Sequence, residues 1–311
     1  MICFDRMMLI SKKDYIEIID ENAFIVNMKN GELIYLKFKQ KYPFYILIKI
    51  DIENDELLLE FTGKILKNRY CEGINVGNIE YCLSQIEDLG ICKLSVKEII
   101  EDSSIIKCDV IKDVKVNDVD FITKSLRSSL RNYRKWVVKG YTNGIVIENN
   151  VVTPYYKKRL VVYDKGKELT KAENKDFLKQ IDNEKRILEF YENIARFELN
   201  IKTMKQIRDL LEVKDNALLN VLASDANPIL SVLDEAMVDE IVQDETRTLR
   251  DYERELLIRE CHNDLAEVEA KVRTFLLKGT SIKRVMKPYI DLYSRLQNGE
   301  NGSFDVRKLI A

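Results

Sequence analysis

The stretch Arg196-Phe197-Glu198-Leu199-Asn200-Ile201-Lys202 alternates strictly between polar and apolar side chains. Successive side chains of a β-strand point to opposite faces of a sheet, so this pattern predicts a strand with one apolar and one polar face. Earlier in the chain, residues 159–168 contain the apolar run Leu160-Val161-Val162, followed by Tyr163, and this stretch is also predicted as a strand. Two interpretations stay open at this point. Either Tyr163 is a nucleophile beside a metal-binding Glu198, or both are ordinary strand residues.

The rest of the chain divides into a mixed region and a helical region. Short apolar or alternating runs, separated by turn signals, lie at residues 2–10, 23–26, 33–38, 44–50, 57–61 and 104–114. Helical spacing marks residues 79–89, 119–136 and 171–193, and a hairpin is predicted within 142–152. Beyond residue 203 only helical patterns follow, at 204–211, 215–223, 228–242, 245–277 and 281–297. We therefore predict an α+β fold, with an antiparallel sheet and flanking helices in residues 1–203 and an all-α C-terminal domain in residues 204–311.

The composition restricts the chemistry that this chain can perform. It contains one histidine, His262, and six cysteines with no CxxC pair. Ser-His-Asp and Cys-His catalysis, a zinc ribbon and a disulfide framework are therefore disfavoured. A metal site would have to be built from carboxylates, which suit the hard cations Mg²⁺ and Mn²⁺.

The sequence also indicates where the protein resides. No apolar run approaches the roughly 20 residues that are needed to span a bilayer. The N-terminal residues lack the basic-then-apolar order of a signal peptide. We expect a cytoplasmic protein in a reducing setting, with no membrane partner.

Charge is distributed in blocks although the net charge is only −2. Residues 124–171 contain 12 Lys and Arg against 3 Asp and Glu, a local charge of +9. Residues 232–270 carry a local charge of −9, and residues 271–295 a local charge of +6. The basic blocks suggest two surfaces that face a polyanion, and the alternative is that each block is a solvated face.

Four further acids stand out as candidate metal ligands. Asp109 and Asp113 share a face of the predicted strand 104–114, because they are four residues apart. Asp5 and Glu60 interrupt otherwise apolar strands. A carboxylate in such a run more often lies at a sheet edge or on the solvent-facing side of a sheet. We therefore keep two interpretations of Asp5 and Glu60, a metal ligand and an ordinary solvent-facing residue.

Taken in order, these pieces resemble a known group of proteins. The pieces are CFDRMML at residues 3–9, LLEFTGKIL at 58–66, IKCDVIKD at 106–113, LVVYDK at 160–165 and RFEL at 196–199. Their order and spacing resemble the rolling-circle replication initiators of plasmids and filamentous-type phages, which are relatives of the HUH endonucleases. The pattern lacks the histidine pair of that wider superfamily, and it lacks a second catalytic tyrosine. For the nearby Tyr155 and Tyr156 we expect roles in packing or base stacking.

The resemblance implies a metal-dependent endonuclease that nicks one strand of origin DNA. Tyr163 would attack a phosphate, which leaves a 5′-phosphotyrosine and a free 3′-hydroxyl for priming. Lys165 would lower the pKa of the tyrosine or bind the phosphate. Mg²⁺ or Mn²⁺ would be held by Asp109 and Glu198 first, with the weaker candidates being Asp113, Asp5 and Glu60.

Origin DNA, single-stranded or as an extruded hairpin, is the partner that this resemblance implies, together with the host helicase and polymerase machinery. A homodimer is also consistent with the resemblance. The candidate DNA contacts are Arg127, Arg131, Arg134, Lys157, Lys158, Arg159, Lys283 and Arg284. Two other classes remain as alternatives: a non-catalytic DNA-binding or regulatory protein of a mobile element, and a protein whose acidic helix around 245–269 mediates assembly.

Overall fold

The alternating stretch at 196–202 forms most of a central strand, as its period-two pattern predicts. The computed structural model describes residues 2–128, 135–237, 248–277, 279–299 and 306–311, and within it this strand is Ile194–Ile201, called β12. The preceding strands are β1 (Cys3–Lys12), β2 (Ile16–Ile18), β3 (Ile25–Lys29), β4 (Glu32–Gln40), β5 (Ile46–Asp51), β6 (Glu56–Thr62), β7 (Cys92–Leu94), β8 (Ser104–Lys115), β9 (Trp136–Tyr141), β10 (Gly144–Asn149) and β11 (Arg159–Asp164).

Ten of these strands form one antiparallel sheet in the described part of the chain. Its order is β3-β4-β5-β6-β1-β8-β12-β11-β10-β9, while β2 and β7 pair separately. Two meanders, β3 to β6 and β9 to β11, thus flank the three central strands β1, β8 and β12. The antiparallel sheet with helices confirms the predicted mixed fold at this level.

The register around β12 decides which side chains meet. Arg196 lies opposite Asp113 of β8 and Tyr163 of β11. Two residues on, Glu198 lies opposite Ile111 and Val161, and Asn200 opposite Asp109 and Arg159. Directly opposite residues project from the same face of a sheet. One face of the central strands is therefore rich in charged and polar groups.

A β-bulge on β1 brings one more acid to this face. Phe4 pairs with Val110, and Arg6 pairs with Asp109, so Asp5 is an extra residue in the ladder. Bulges of this kind redirect a side chain. The Asp5 carboxylate reaches Arg196, with 2.8 Å between its Oδ1 and the arginine Nη1.

The other face of the sheet carries the main hydrophobic core. Phe197 and Leu199 of β12 are fully buried there, together with Met7 and Leu9 of β1. Helices α1 (Ile79–Glu87), α2 (Val96–Asp102), α3 (Val119–Ser128), α7 (Met204–Leu211), α8 (Leu218–Leu222), α9 (Pro228–Ala236) and α13 (Arg307–Ile310) contribute to this core. Burial of large apolar side chains at roughly 25 cal/mol per Å² drives this packing.

Part of the polar face is covered by a second, smaller cluster. It is built from the 3₁₀ segment Gly63–Glu72 and from α4 (Lys165–Leu169), α5 (Lys175–Leu178) and α6 (Glu184–Tyr191). Tyr70 and Tyr191 of this cluster both lie within hydrogen-bonding distance of Arg196. The cluster thus closes one end of the polar face and leaves a cleft beside it.

The helices beyond residue 203 belong to two different clusters. α7, α8, α9 and α13 share the core of the sheet. α10 (Leu249–Glu260), α11 (Leu265–Thr274) and α12 (Ile282–Gly299) pack against one another in a third cluster. The described helices of residues 204–311, predicted as one helical domain, therefore pack partly on the sheet and partly in a cluster of their own.

Three predicted elements differ from the structure. The helix predicted to reach Trp136 is described only to Ser128, and Trp136 begins strand β9 of the hairpin instead. The helix predicted over 171–193 is a series of short segments, with Asn183 capping α6. The helix predicted over 245–277 ends after α10, because His262 and Asn263 have φ values of 53° and 59°, which a right-handed helix cannot continue.

Candidate active site

Tyr163 and Glu198 form a hydrogen-bonded pair on neighbouring strands. The Tyr163 hydroxyl donates to Glu198 Oε2 over 3.1 Å. Both side chains line a cleft with a volume of about 420 Å³, called here the Tyr163 cleft. Its walls also contain Asp5, Arg6, Lys41, Tyr42, Tyr45, Thr62, Lys64, Lys165, Glu168, Glu173 and Asn174. Burial raises the pKa of Tyr163 well above its ordinary value, and the negative charge of Glu198 raises it further.

Glu198 and Asp109 are joined through the amide of Asn200. The Asn200 Nδ2 donates to Glu198 Oε1 over 3.0 Å and to Asp109 Oδ1 over 2.8 Å. Burial raises the pKa of Glu198 to about 7, with further contributions from the negative charges of Asp5 and Asp109. Burial also raises the pKa of Asp109. These are the two acids named first as metal ligands, and their geometry brings them together.

Asp113 does not belong to this acidic pair, because Arg196 holds it. Arg196 is fully buried and binds Asp113 through two parallel contacts of 2.7 Å and 2.6 Å. Its third contact is with Asp5. Bidentate arginine–carboxylate pairs of this kind have defined geometry and are costly to break when buried. The structure therefore places Asp113 in a structural ion pair.

Glu60 is likewise engaged by cations. It is 3% exposed and accepts from Arg6 at 2.7 Å, from Lys107 at 3.5 Å and from the Tyr45 hydroxyl at 3.1 Å. Within the residues that the structure describes, no group of three or more His, Cys, Asp or Glu side chains is arranged to hold a metal ion. The five predicted acids therefore do not converge as one shell.

Lys165 lies beside Tyr163 at the start of a helix. The strand ends at Asp164, whose carboxylate caps α4 by accepting from the Lys167 amide at 2.9 Å. Lys165 is thus the first helical residue, and its Nζ lies 5.7 Å from the centroid of the Tyr163 ring. It forms a 2.6 Å ion pair with Glu168.

That ion pair neutralises the charge of Lys165. Burial alone would raise the pKa of Glu168, but Lys165 and the Asn174 amide hold it at about 2. Both partners are largely buried, so the pair is a fixed part of the cleft wall.

Most of the described DNA-contact candidates are paired with carboxylates. Arg127 lies 3.3 Å from Asp264. Lys157 and Arg159 both contact Glu148, at 3.6 Å and 3.1 Å. Lys158 contacts Glu235. Lys283 and Arg284 are exposed on α12. The two remaining candidates, Arg131 and Arg134, lie outside the described residues.

The roles of several residues in and around the cleft were not anticipated from the sequence. Lys64 and Arg6 stand in the sequence pieces 58–66 and 3–9, yet nothing in the local pattern assigns them a role. Arg196 and Asn200 were expected only as polar members of a strand face. The available signal was their position on the same face as Glu198, which the strict alternation of the stretch does reveal.

Comparison with protein-family models, with curated proteins and with solved structures gave no match. Each helix of the described residues is too short or too polar to cross a membrane.

Proposed function

We propose that this protein is a DNA-nicking replication initiator of a phage or plasmid, with Tyr163 as its nucleophile. The observation that carries the proposal is the hydrogen bond from the Tyr163 hydroxyl to the Glu198 carboxylate in an open cleft. A tyrosine is a weak nucleophile until a neighbouring group takes its proton. In the metal-free protein the Glu198 carboxyl group has a pKa of about 7, which suits proton transfer near neutral pH, and a bound cation would assist the ionisation of Tyr163 directly.

In the proposed reaction, Tyr163 Oη forms a bond to phosphorus and the bond between phosphorus and the 3′-oxygen breaks. The tyrosine proton passes to Glu198 Oε2, and the departing 3′-oxygen takes a proton from solvent water and leaves as a hydroxyl. The products are a 5′-phosphotyrosine and a free 3′-hydroxyl. Because one phosphodiester replaces another, the bond energy is conserved for a later closing step.

Asp109 and Glu198 are the residues that would hold Mg²⁺ or Mn²⁺ in this proposal. Their carboxylates interact unfavourably with each other and with Asp5, as the raised pKa of Glu198 indicates. A divalent cation would relieve that repulsion. Mg²⁺ is usually bound by one or two carboxylates together with waters and substrate phosphates, so two acids are sufficient. When bound, the cation would stabilise negative charge on the tyrosine and phosphate oxygens.

The test is covalent capture of DNA by the full-length protein. A randomised single-stranded library, labelled at either the 5′ or the 3′ end, is incubated with Mn²⁺ and resolved by denaturing electrophoresis. We expect a protein band that carries the 3′ label and not the 5′ label, because the 5′-phosphate side of the nick remains attached.

Tyr163→Phe is expected to abolish that band and to retain binding to DNA. The matched control is Tyr156→Phe, since Tyr156 is 55% exposed and its hydroxyl accepts a hydrogen bond from Lys205 on the protein surface. An adduct that persists in Tyr163→Phe contradicts the assignment of the nucleophile. DNA binding by the unaltered protein with no adduct in Mn²⁺ or Mg²⁺ would instead favour the non-catalytic DNA-binding alternative.

A further inference from the structure

Lys64 occupies an unusual position in the wall of the Tyr163 cleft. It follows strand β6 directly, in the 3₁₀ segment Gly63–Glu72, and lines the same cleft as Tyr163 and Glu198. Its Nζ lies 5.6 Å from the centroid of the Phe177 ring. The ammonium group therefore lies near an aromatic ring, in a residue that borders the cleft.

The hydrogen-bond partner of Lys64 is neutral. Its Nζ donates to Asn174 Oδ1 over 2.5 Å. The Nδ2 of Asn174 donates to the backbone oxygen of Glu168 at 2.6 Å and to its Oε1 at 3.1 Å, which fixes the amide with its oxygen toward Lys64. Asn174 is fully buried. The amide thus orients the lysine without neutralising it.

Two of the lysines that line the cleft, Lys64 and Lys165, differ in charge balance. Lys165 is neutralised by Glu168 at 2.6 Å. In the described part of the chain, no carboxylate lies within ion-pair distance of Lys64, and the nearby Asp5 and Glu173 act on it only at longer range. Burial lowers the pKa of Lys64; Glu168 raises it, and the positive charge of Lys165 lowers it again. A half-buried cation without a direct ion pair is only partly compensated, and an anion that enters the cleft would complete the compensation.

We propose that Lys64 binds a backbone phosphate of single-stranded DNA in the Tyr163 cleft. The ammonium group donates to a non-bridging phosphate oxygen while Asn174 keeps it oriented. The identity of the ligand as DNA rests on the proposed nicking function. The presence of an anion site rests on the Lys64 ammonium group, whose hydrogen-bond partner is a neutral amide. Because Lys64 and Tyr163 line the same cleft, a strand bound by this lysine would pass close to the tyrosine.

The test uses Lys64→Gln in the full-length protein and measures the salt dependence of DNA binding. A 5′-fluorescein oligothymidylate is titrated in EDTA and followed by fluorescence anisotropy, so that no cleavage contributes. Glutamine retains a donor for Asn174 and removes the charge. We expect affinity at low salt to fall about 10-fold, as for loss of a charged hydrogen bond. The slope of log affinity against log salt should become shallower by about 0.7, the value for one phosphate contact on a single strand.

Two controls make the result specific. Lys97→Gln removes the same charge from a side chain that is 80% exposed on α2, and it should leave the slope unchanged. Lys64→Arg keeps the charge and should keep the slope. Urea unfolding of each variant confirms that it is folded before binding is measured.

The outcomes separate this inference from the nicking function. An unchanged slope in folded Lys64→Gln, or an equal change in Lys97→Gln, overturns the phosphate contact. A shallower slope confined to Lys64→Gln supports it, even where the unaltered protein forms no covalent adduct. In that last case the nicking function fails and the anion site remains.

Discussion

The pKa of Glu198 leads to a quantitative prediction about stability. Burial and the charges of Asp5 and Asp109 raise the pKa of Glu198 from 4.5 to about 7. The folded state therefore prefers the protonated acid more strongly than the unfolded state does. The contribution of Glu198 to the free energy of unfolding is fully present below the pKa that this acid has in the unfolded chain, and it is lost as pH rises through about 7. A difference of about 2.5 pKa units, at about 1.36 kcal/mol per unit, corresponds to about 3 kcal/mol.

Glu198→Gln should remove this penalty, since glutamine mimics the protonated acid in shape and keeps an acceptor for Asn200. In EDTA, we expect the free energy of unfolding of the variant to exceed that of the unaltered protein by about 3 kcal/mol near pH 8. Near pH 5 the difference should be less than about 1 kcal/mol, because the acid is then mostly protonated in the folded state. Urea unfolding at both pH values provides the measurement.

The control for this experiment is Glu17→Gln, because Glu17 is exposed on β2. It should show the same small change at both pH values. A gain in Glu198→Gln that does not depend on pH would refute the electrostatic reasoning. So would a loss of stability near pH 8, which would mean that the ionised carboxylate is well accommodated.

Two further substitutions test the residues that support the cleft. Arg196→Met leaves Asp113 and Asp5 without their buried partner. The free energy of unfolding, measured in urea, should fall by about 3 kcal/mol, which is the lower end of the range for a broken buried ion pair. A loss below about 1 kcal/mol would contradict the structural role of Arg196. Gly144→Ala places a Cβ 2.4 Å from the Val162 carbonyl oxygen and 2.6 Å from Tyr163 Cβ, so it should lower stability by about 1–3 kcal/mol and slow adduct formation. The matched Gly140→Ala, in the same hairpin and with no atom within 4 Å of the added Cβ, should do neither.

Periodicity was sufficient to predict the strands that build the site. The alternation in 196–202 placed Glu198 and Asn200 on one face, and the period of two placed Asp109 and Asp113 on one face of β8. Both faces are observed, because a two-residue period follows from strand geometry alone. The pairing of β12 with both β8 and β11 then brings Tyr163 to Glu198.

The partners of those side chains could not be predicted in the same way. Asp109 and Asp113 look equivalent in the sequence, yet one contacts an amide and the other a buried arginine. That difference depends on register between strands that are distant in sequence, and on the tyrosines that cover Arg196. Lys64 was missed for a similar reason, since its neutral partner Asn174 is 110 residues away.

Helix ends were the least predictable part of the fold. The apolar spacing of 245–277 continues across His262 and Asn263, so periodicity alone indicated one long helix. The left-handed backbone at these two residues separates α10 from α11. Local backbone conformation, and not the hydrophobic pattern, determines the break.

The central position of β12 has a consequence for the newly made protein. Tyr163 is synthesised 35 residues before Glu198, and Asp5 precedes its arginine partner by 191 residues. Contacts between such distant segments form only after the intervening chain is available. A ribosome-bound or prematurely terminated chain can therefore carry the tyrosine without β12. In the proposed function, Tyr163 would therefore lack its partner Glu198 until β12 has been synthesised.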